Sequence, residues 1–329
     1  MDTNDELQLS TPTAEGIDPI ILDRAEESAG SLPNLQALLI LRNGFLIFEN
    51  YYSGANLETR FHLRSITKSI VSLLIGVAIE KGIIHSITDS VLDFIPEFKS
   101  RSDDPRKEDI TIQHLLTMTS GFAWQETGAW FFDQSLTATN DALERPLAHH
   151  PGDVYNYDSA SADLLTVILT RAAKQDAKSF LIQYLFAPLG ITDFEWEQDP
   201  SGIYRGSAGL IMRPRDLAKI GQLLLDNGQW KGRQIVLQRW INESTADHVI
   251  VNEAVRYGYL WRSRRIDSID HFYGMGYGGQ YLQVLPSLKM VVVVHHDWNG
   301  PEEMVGQQAM HFSKQVFDPF VKKLSRLAE

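Results

Sequence analysis

Two strand-rich segments lie at opposite ends of the chain with helices between them, and this arrangement limits the folds open to it. Residues 36–52 form two β-rich runs broken by Asn43-Gly44, the strongest short signal for a hairpin. From Tyr257 onward the runs 257–264, 271–274, 280–285 and 289–296 again have strand character, the last two joined through Pro286-Ser287-Leu288. Helical spacing predicts helices over 65–81 with a stop at Gly82, then over 112–118, 159–173, 177–186 and 215–227, the last ending at Gly228. A final helix is predicted over 302–327. Strands so far apart find partners only by pairing with each other. The expectation is therefore one antiparallel sheet built from both termini and flanked by helices, with a mostly helical lobe inserted. In residue terms, 1–329 is one domain, 1–64 and 245–329 make the sheet lobe and 65–244 the helical lobe. A site is expected in the cleft between them.

Composition fits one large folded unit, with 329 residues of which 43% are hydrophobic and 22% charged. The net charge of -12 repels polyanions, so neither nucleic acid nor an anionic membrane surface is an expected partner. The chain has no cysteine, which removes disulfides, thiolate metal sites, iron–sulfur clusters and a cysteine nucleophile together. The longest apolar runs, 70–79 and 290–294, are interrupted or too short to cross a bilayer, so no membrane insertion is expected. The amino terminus has no basic segment followed by an apolar one, which reads as a cytoplasmic address. A leader removed earlier would leave the same trace and mean periplasm or secretion. His149-His150 and His295-His296-Asp297 each lack a third ligand at a defensible spacing and are read as structural, so neither metal nor cofactor is expected.

The chemistry concentrates on the helix beginning at Ser65. Positions 65, 68, 69, 72 and 76 share one face and are Ser, Lys, Ser, Ser and Gly, while the remaining surface is nearly all aliphatic. A solvated face carries Glu, Lys and Arg; small hydroxyls around one lysine describe a stripe packed inside the protein. A lysine three residues after a serine brings its amine within reach of the hydroxyl, and burial disfavours its charged form, so a neutral amine can take the serine proton. The helix N-terminus at Ser65 favours the negative charge that then develops. Alone, Ser-x-x-Lys is expected about once by chance in a chain of this composition. Its place on an apolar helix directly after a hairpin raises its weight.

Further motifs occur in order: Arg42-Asn-Gly44 in the hairpin, Ser65-Ile-Thr-Lys68-Ser69, His114-Leu-Leu-Thr-Met-Thr-Ser-Gly121, Pro151-Gly152-Asp-Val-Tyr-Asn-Tyr157-Asp-Ser159, Pro188-Leu-Gly-Ile191, Gly206-Ser-Ala-Gly209 and Gly276-Tyr-Gly-Gly-Gln280. Together they resemble the serine β-lactamase and penicillin-binding-protein superfamily, in particular its class C-like esterase and 6-aminohexanoate-dimer hydrolase branch. The resemblance covers most of the chain and implies a β-lactamase/transpeptidase-like fold of the mixed α/β (α+β) class. It also implies a Tyr-x-Asn element whose tyrosine shares proton transfer with the lysine. Here that element falls on Tyr157-Asp158-Ser159, with Ser159 in place of the usual Asn. Tyr155-Asn156-Tyr157 fits Tyr-x-Asn literally; the distance from Pro151-Gly152 and the helix start at Ser159 favour Tyr157, with Tyr155 in reserve.

The family's third element, Lys-Thr-Gly, is replaced by Gly276-Tyr277-Gly278-Gly279, and its cation is missing. The resemblance still implies a backbone N–H from this strand, near Gly279 or Gln280, that completes an oxyanion hole with the N–H of Ser65. Gly278, Gly279 and Gln280 are accordingly expected at the substrate, with Ser159 beside the catalytic pair. Gly274-x-Gly276-x-x-Gly279 also spells the dinucleotide fingerprint, but a strand follows it and not a helix. Residues 121–132 carry Trp124, Trp130, Phe131 and Phe132, and Trp124 and Trp130 are expected in an apolar wall over the cleft. These residues predict a serine hydrolase that forms an acyl-enzyme on Ser65, with Lys68 and Tyr157 moving protons. The missing lysine favours uncharged short-chain esters and short linear amides, unless an arginine such as Arg205 or Arg262 folds in to replace it. The alternatives are a β-lactamase or D-alanyl-D-alanine peptidase, and a non-catalytic penicillin-binding-like sensor or binding module.

Overall fold

The computed structural model describes residues 6–96, 104–125, 137, 142 and 144–328. Among them nine strands form one sheet in the spatial order Gln8–Leu9, Phe45–Tyr51, Leu35–Arg42, Met290–His296, Gln280–Leu285, Ile269–Gly276, Arg262–Ile266, Arg256–Tyr257 and Val249–Ile250. Both ends of the chain build it, as the strand-like runs predicted. Neighbours are antiparallel except at the first edge, where Gln8–Leu9 runs parallel to Phe45–Tyr51. The hairpin turn has positive φ at both Asn43 (52°) and Gly44 (89°), the mirror-image turn for which Asn-Gly is suited. The seam of the sheet is the pairing of Leu35–Arg42 with Met290–His296, where Val291 lies opposite Leu41 and Val293 opposite Leu39.

Helices cover both faces. Val291 and Val293 join one core with the helices Ile66–Glu80 and Pro214–Leu225. Met290, Val292 and Val294 join a second core with the helix Pro19–Gly30 and the C-terminal helices. Successive strand side chains point to opposite faces, so a strand covered on both sides is apolar throughout, which accounts for the unbroken Val291–Val294 run. Pro214–Leu225, within the segment expected to form the helical lobe, lies against the sheet, and a Cβ on Gly221 would strike Val291. Several predicted elements are interrupted. The C-terminal helix is Glu302–Phe312 and Asp318–Ala328 around a π-helical turn at Ser313–Phe317, and the helix from Ala177 likewise ends in a π turn, Ile182–Phe186. The predicted strand over 257–264 is two strands, because the chain folds over at 258–261 with Leu260 at φ 62°. Among the described residues no helix is long and apolar enough to cross a membrane.

Candidate active site

The helix Ile66–Glu80 is buried at every position from Ile66 to Ala78, and Ser65 stands at its N-terminus. The turn into it is held in an unusual backbone state. Arg64 adopts φ 51°, a left-handed conformation costly for a residue with a side chain. Its N–H donates to His62 Nδ1 at 3.0 Å, so His62 carries its proton on Nε2 and donates to Glu197 at 3.2 Å. The Arg64 guanidinium lies over the Trp298 ring at 4.3 Å, and burial lowers its pKa to about 10. Beyond this turn the N–H groups of Ile66, Thr67 and Lys68 donate to the carbonyls of Leu63, Arg64 and Ser65. The Ser65 N–H has no acceptor among the described residues, which leaves it available beside its own hydroxyl.

Lys68 is 1% exposed. Its Nζ lies 2.9 Å from Ser65 Oγ, 3.2 Å from Ser159 Oγ and 2.8 Å from the Ser207 carbonyl oxygen. A carbonyl only accepts, so one amine N–H is committed to Ser207; a neutral amine then has a second N–H for Ser159 and a lone pair for the proton of Ser65. The Tyr157 ring centroid lies 5.0 Å from the same Nζ. The structure thus brings Ser65, Lys68, Ser159 and Tyr157 together. The Tyr155 ring lies 5.3 Å from that of Tyr257, and its buried hydroxyl has no hydrogen-bond partner among the described residues. Burial pushes the Tyr155 phenol above its ordinary range. The other small residues of the helix face have packing tasks: Ser69 Oγ donates to the Leu260 carbonyl at 2.7 Å, and a Cβ on Gly76 would overlap the Trp240 indole.

Two residues outside the predicted set fix the lysine's surroundings. Gly206 lies so close to the helix Ser159–Ala173 that a Cβ there would strike the Ala162 carbonyl, and this approach delivers the Ser207 carbonyl to Lys68. Asp163 secures the segment, accepting the Ser207 N–H at 2.7 Å and the Ser207 hydroxyl at 3.0 Å. Burial pushes the Asp163 carboxyl up to about 6, against the pull of those two donors and of the Lys68 and Arg205 charges. Asp163 is not among the residues singled out from the sequence; an acid four residues after Ser159, beside the largely aliphatic run 164–169, is the signal that could have found it.

The shift sets a pH dependence whose sign is definite. A carboxyl raised from 3.8 to about 6 binds its proton more tightly in the folded state. Its contribution is complete below about pH 4 and lost by about pH 6, on the order of 3 kcal/mol. The stability of the native chain minus that of Asp163→Asn should fall across this window in urea titrations at stepped pH. A difference that stays flat or rises with pH contradicts the assignment.

The remaining expected substrate-binding residues have other surroundings. Gly278 and Gly279, at φ 76° and 85°, make the turn after Ile269–Gly276, and the Gly279 N–H closes it on the Gly276 carbonyl at 3.3 Å. Gln280 is fully buried and braces that turn, donating to the His296 carbonyl at 2.9 Å and bonding His295 Nδ1 at 3.0 Å. Burial lowers the pKa of His295 to about 3 and of His296 to about 4. Trp124 is buried in the first core with the Arg145 guanidinium 4.3 Å over its ring. Trp130, Phe131 and Phe132 lie outside the described residues. Closer to Ser65 is the strand end Gly274–Gly276. The strand Arg262–Ile266 pairs with it only as far as Tyr273, so this end has no strand neighbour on that side among the described residues. A Cβ on Gly274 would sit 3.0 Å from Ser69 Oγ, and one on Gly276 would press on the Leu63 carbonyl. Two glycines let the strand lie against the start of the helix.

The Beta-lactamase family model matches residues 24–311. The chain belongs to this family. Within the beta-lactamase family it is 24% identical over 325 residues to the 6-aminohexanoate-dimer hydrolase of Paenarthrobacter ureafaciens, covering 87% of this chain and 80% of that protein. Its fold matches EstCE1, a hydrolase with promiscuous acyltransferase activity, at a TM-score of 0.73 and 17% identity over 93% of this chain and 100% of that one. It also matches the D-amino acid amidase of Ochrobactrum anthropi SV3 at a TM-score of 0.72 and 14% identity, over 94% and 100% of the two chains. The beta-lactamase family is one of hydrolases acting on small molecules, and the motif resemblance is thereby established as membership.

Proposed function

We propose that this protein is a serine acyl hydrolase, taking short-chain carboxylic esters and short linear amides through an acyl-enzyme on Ser65. The observation that carries this reading is the contact between Lys68 Nζ and Ser65 Oγ at 2.9 Å in a buried setting. Lys68 accepts the serine proton as Oγ bonds to the acyl carbon, and the resulting oxyanion meets the free N–H of Ser65 and an N–H from the open strand end Gly274–Gly276. As the bond to the leaving group breaks, the proton passes from Lys68, with Tyr157 beside it, to the departing oxygen or nitrogen. A water then adds to the acyl carbon, gives up its proton by the same route, and Ser65 leaves with the proton restored as the acid departs. Labelling by a fluorophosphonate probe tests this directly. Stoichiometric modification of Ser65 supports it, and an unlabelled folded protein favours the non-catalytic alternative.

Tyr157 rather than Tyr155 is the relay, because its ring contacts Lys68 whereas the buried Tyr155 hydroxyl has no hydrogen-bond partner among the described residues. Tyr157→Phe should lower kcat by about 100-fold or more. Tyr155→Phe should lower it by less than about tenfold, and deleting an unsatisfied buried hydroxyl should leave stability unchanged or raised by roughly 1 kcal/mol. Steady-state kinetics with thermal melts check both variants; the reverse ranking moves the role to Tyr155.

A further inference from the structure

Ser65 and Lys68 share a helix, but the backbone groups that hold them come from different parts of the chain. Ser65 follows Arg64, whose N–H donates to His62 Nδ1 at 3.0 Å, whereas Lys68 is held by the Ser207 carbonyl at 2.8 Å. Glu197 touches both supports. Its carboxylate accepts from His62 Nε2 at 3.2 Å. Its backbone brackets the loop that carries Ser207, the Glu197 N–H donating to the Gly209 carbonyl at 3.1 Å and its carbonyl accepting the Arg205 N–H at 3.0 Å. Gly209, at φ 100°, lies so close that a Cβ would come within 3.1 Å of Glu197 Cβ. The strand Phe61–His62 pairs in addition with Leu210–Met212, directly after that loop. One histidine thus joins the loop that holds the lysine to the turn that presents the serine.

An imidazole suits this task. The His62 side chain is 10% exposed, and a neutral ring has one donor and one acceptor. A backbone N–H can only donate, so Arg64 takes the lone pair of Nδ1 and the ring proton on Nε2 goes to Glu197. The His62 bond is the main cause that holds the Glu197 carboxyl below its ordinary range. Trp298 braces both neighbours, edge-on to the His62 ring at 5.9 Å and under the Arg64 guanidinium at 4.3 Å. The turn needs such a tie because φ 51° at Arg64 is unfavourable for a residue with a side chain. Without an acceptor for its N–H, Arg64 would relax toward a commoner φ and carry the Ser65 hydroxyl and N–H away from Lys68. A misplacement of about 1 Å is enough to cost on the order of 100-fold in rate.

We propose that His62 is a positioning residue for the acyl transfer, tying the Arg64–Ser65 turn to Glu197 so that the Ser65 hydroxyl and N–H stay aligned with Lys68. The inference rests on the Ser65 reading above and adds to it a residue that acts through Arg64.

The test uses substitutions that keep different ends of the imidazole. His62→Asn places an amide oxygen as many bonds from Cβ as Nδ1 is and so keeps an acceptor for the Arg64 N–H. His62→Gln carries its amide farther out, toward Glu197, and His62→Leu removes both functions. With p-nitrophenyl butyrate, kcat should fall about 100-fold in His62→Leu and about tenfold or more in His62→Gln, with KM within about threefold of native, while His62→Asn should stay within about fivefold. Losses of equal size in Asn and Gln, or a kcat in Leu or Gln within about threefold of native, overturn the proposal. Thermal melts accompany the kinetics, and losses that follow the melting temperature through the whole series also count against it. The native protein provides a measurement that does not depend on a variant folding: the ring nitrogen chemical shifts of His62 should show the Nε2–H tautomer at the pH of the assay, and a ring protonated at Nδ1 overturns the proposal. Fluorophosphonate labelling separates the two levels, because a native protein that is not labelled removes the Ser65 reading itself, whereas labelling with the wrong ranking of variants removes only the role of His62.

Discussion

Ser65→Ala should lower ester hydrolysis by about four orders of magnitude or more while leaving the melting temperature near that of the native chain. The size of the loss follows from removing the hydroxyl nearest the amine, at 2.9 Å against 3.2 Å for Ser159, from the site. Stability should hold because Ser65 is half-buried, makes no side-chain cap bond for its own helix, and gives up only the contact with Lys68. Steady-state rates together with a thermal melt decide it. A folded variant with native-like turnover removes Ser65 from the mechanism.

The second large effect belongs to Lys68→Arg. A guanidinium keeps its charge at every accessible pH and has no lone pair to accept the serine proton. It must also fit its larger, planar head where a single nitrogen meets three oxygens within 3.2 Å, those of Ser65, Ser159 and Ser207. Acylation should slow by about 1000-fold or more, measured as the pre-steady-state burst with a chromogenic ester. Circular dichroism establishes that the variant is folded. A burst at a rate close to that of the native enzyme would show that Lys68 is not the proton acceptor.

Periodicity and turn chemistry made most of the architecture legible. Asn43-Gly44 located the hairpin, the strands 280–285 and 290–296 were apparent from their apolar runs, and the helix 159–173 was read to the residue. The elements that escaped notice are those whose shape is set by distant partners. The strand Phe61–His62 exists because it pairs with Leu210–Met212, and no local pattern announces two-residue strands. The π turns at 182–186 and 313–317 leave the helical period almost unchanged. In the site, Ser65 and Lys68 were readable because an i,i+3 spacing on a helix is a local fact. Asp163 and Ser207 reach the same place from two other segments, and only the fold brings them there. Gln280 was expected at the substrate through its backbone N–H; its side-chain amide, a separate group whose use no local pattern announces, braces His295 and the turn at Gly278.

The seam that joins Leu35–Arg42 to Met290–His296 also governs when the protein can become active. Closing so long a loop costs little equilibrium stability, since the entropy grows only with the logarithm of its length, but such distant pairing is slow to find. During translation the segment bearing Ser65 and Lys68 leaves the ribosome well before the valines of 291–294, and until those arrive the Leu35–Arg42 edge has no partner on that side. An unfinished chain therefore exposes an apolar strand edge, prone to self-association or chaperone capture. It also lacks the strand end Gly274–Gly276 that lies against the nucleophile's helix. Synthesis of the last strands is thus the step that both protects the nascent chain and assembles its reactive centre.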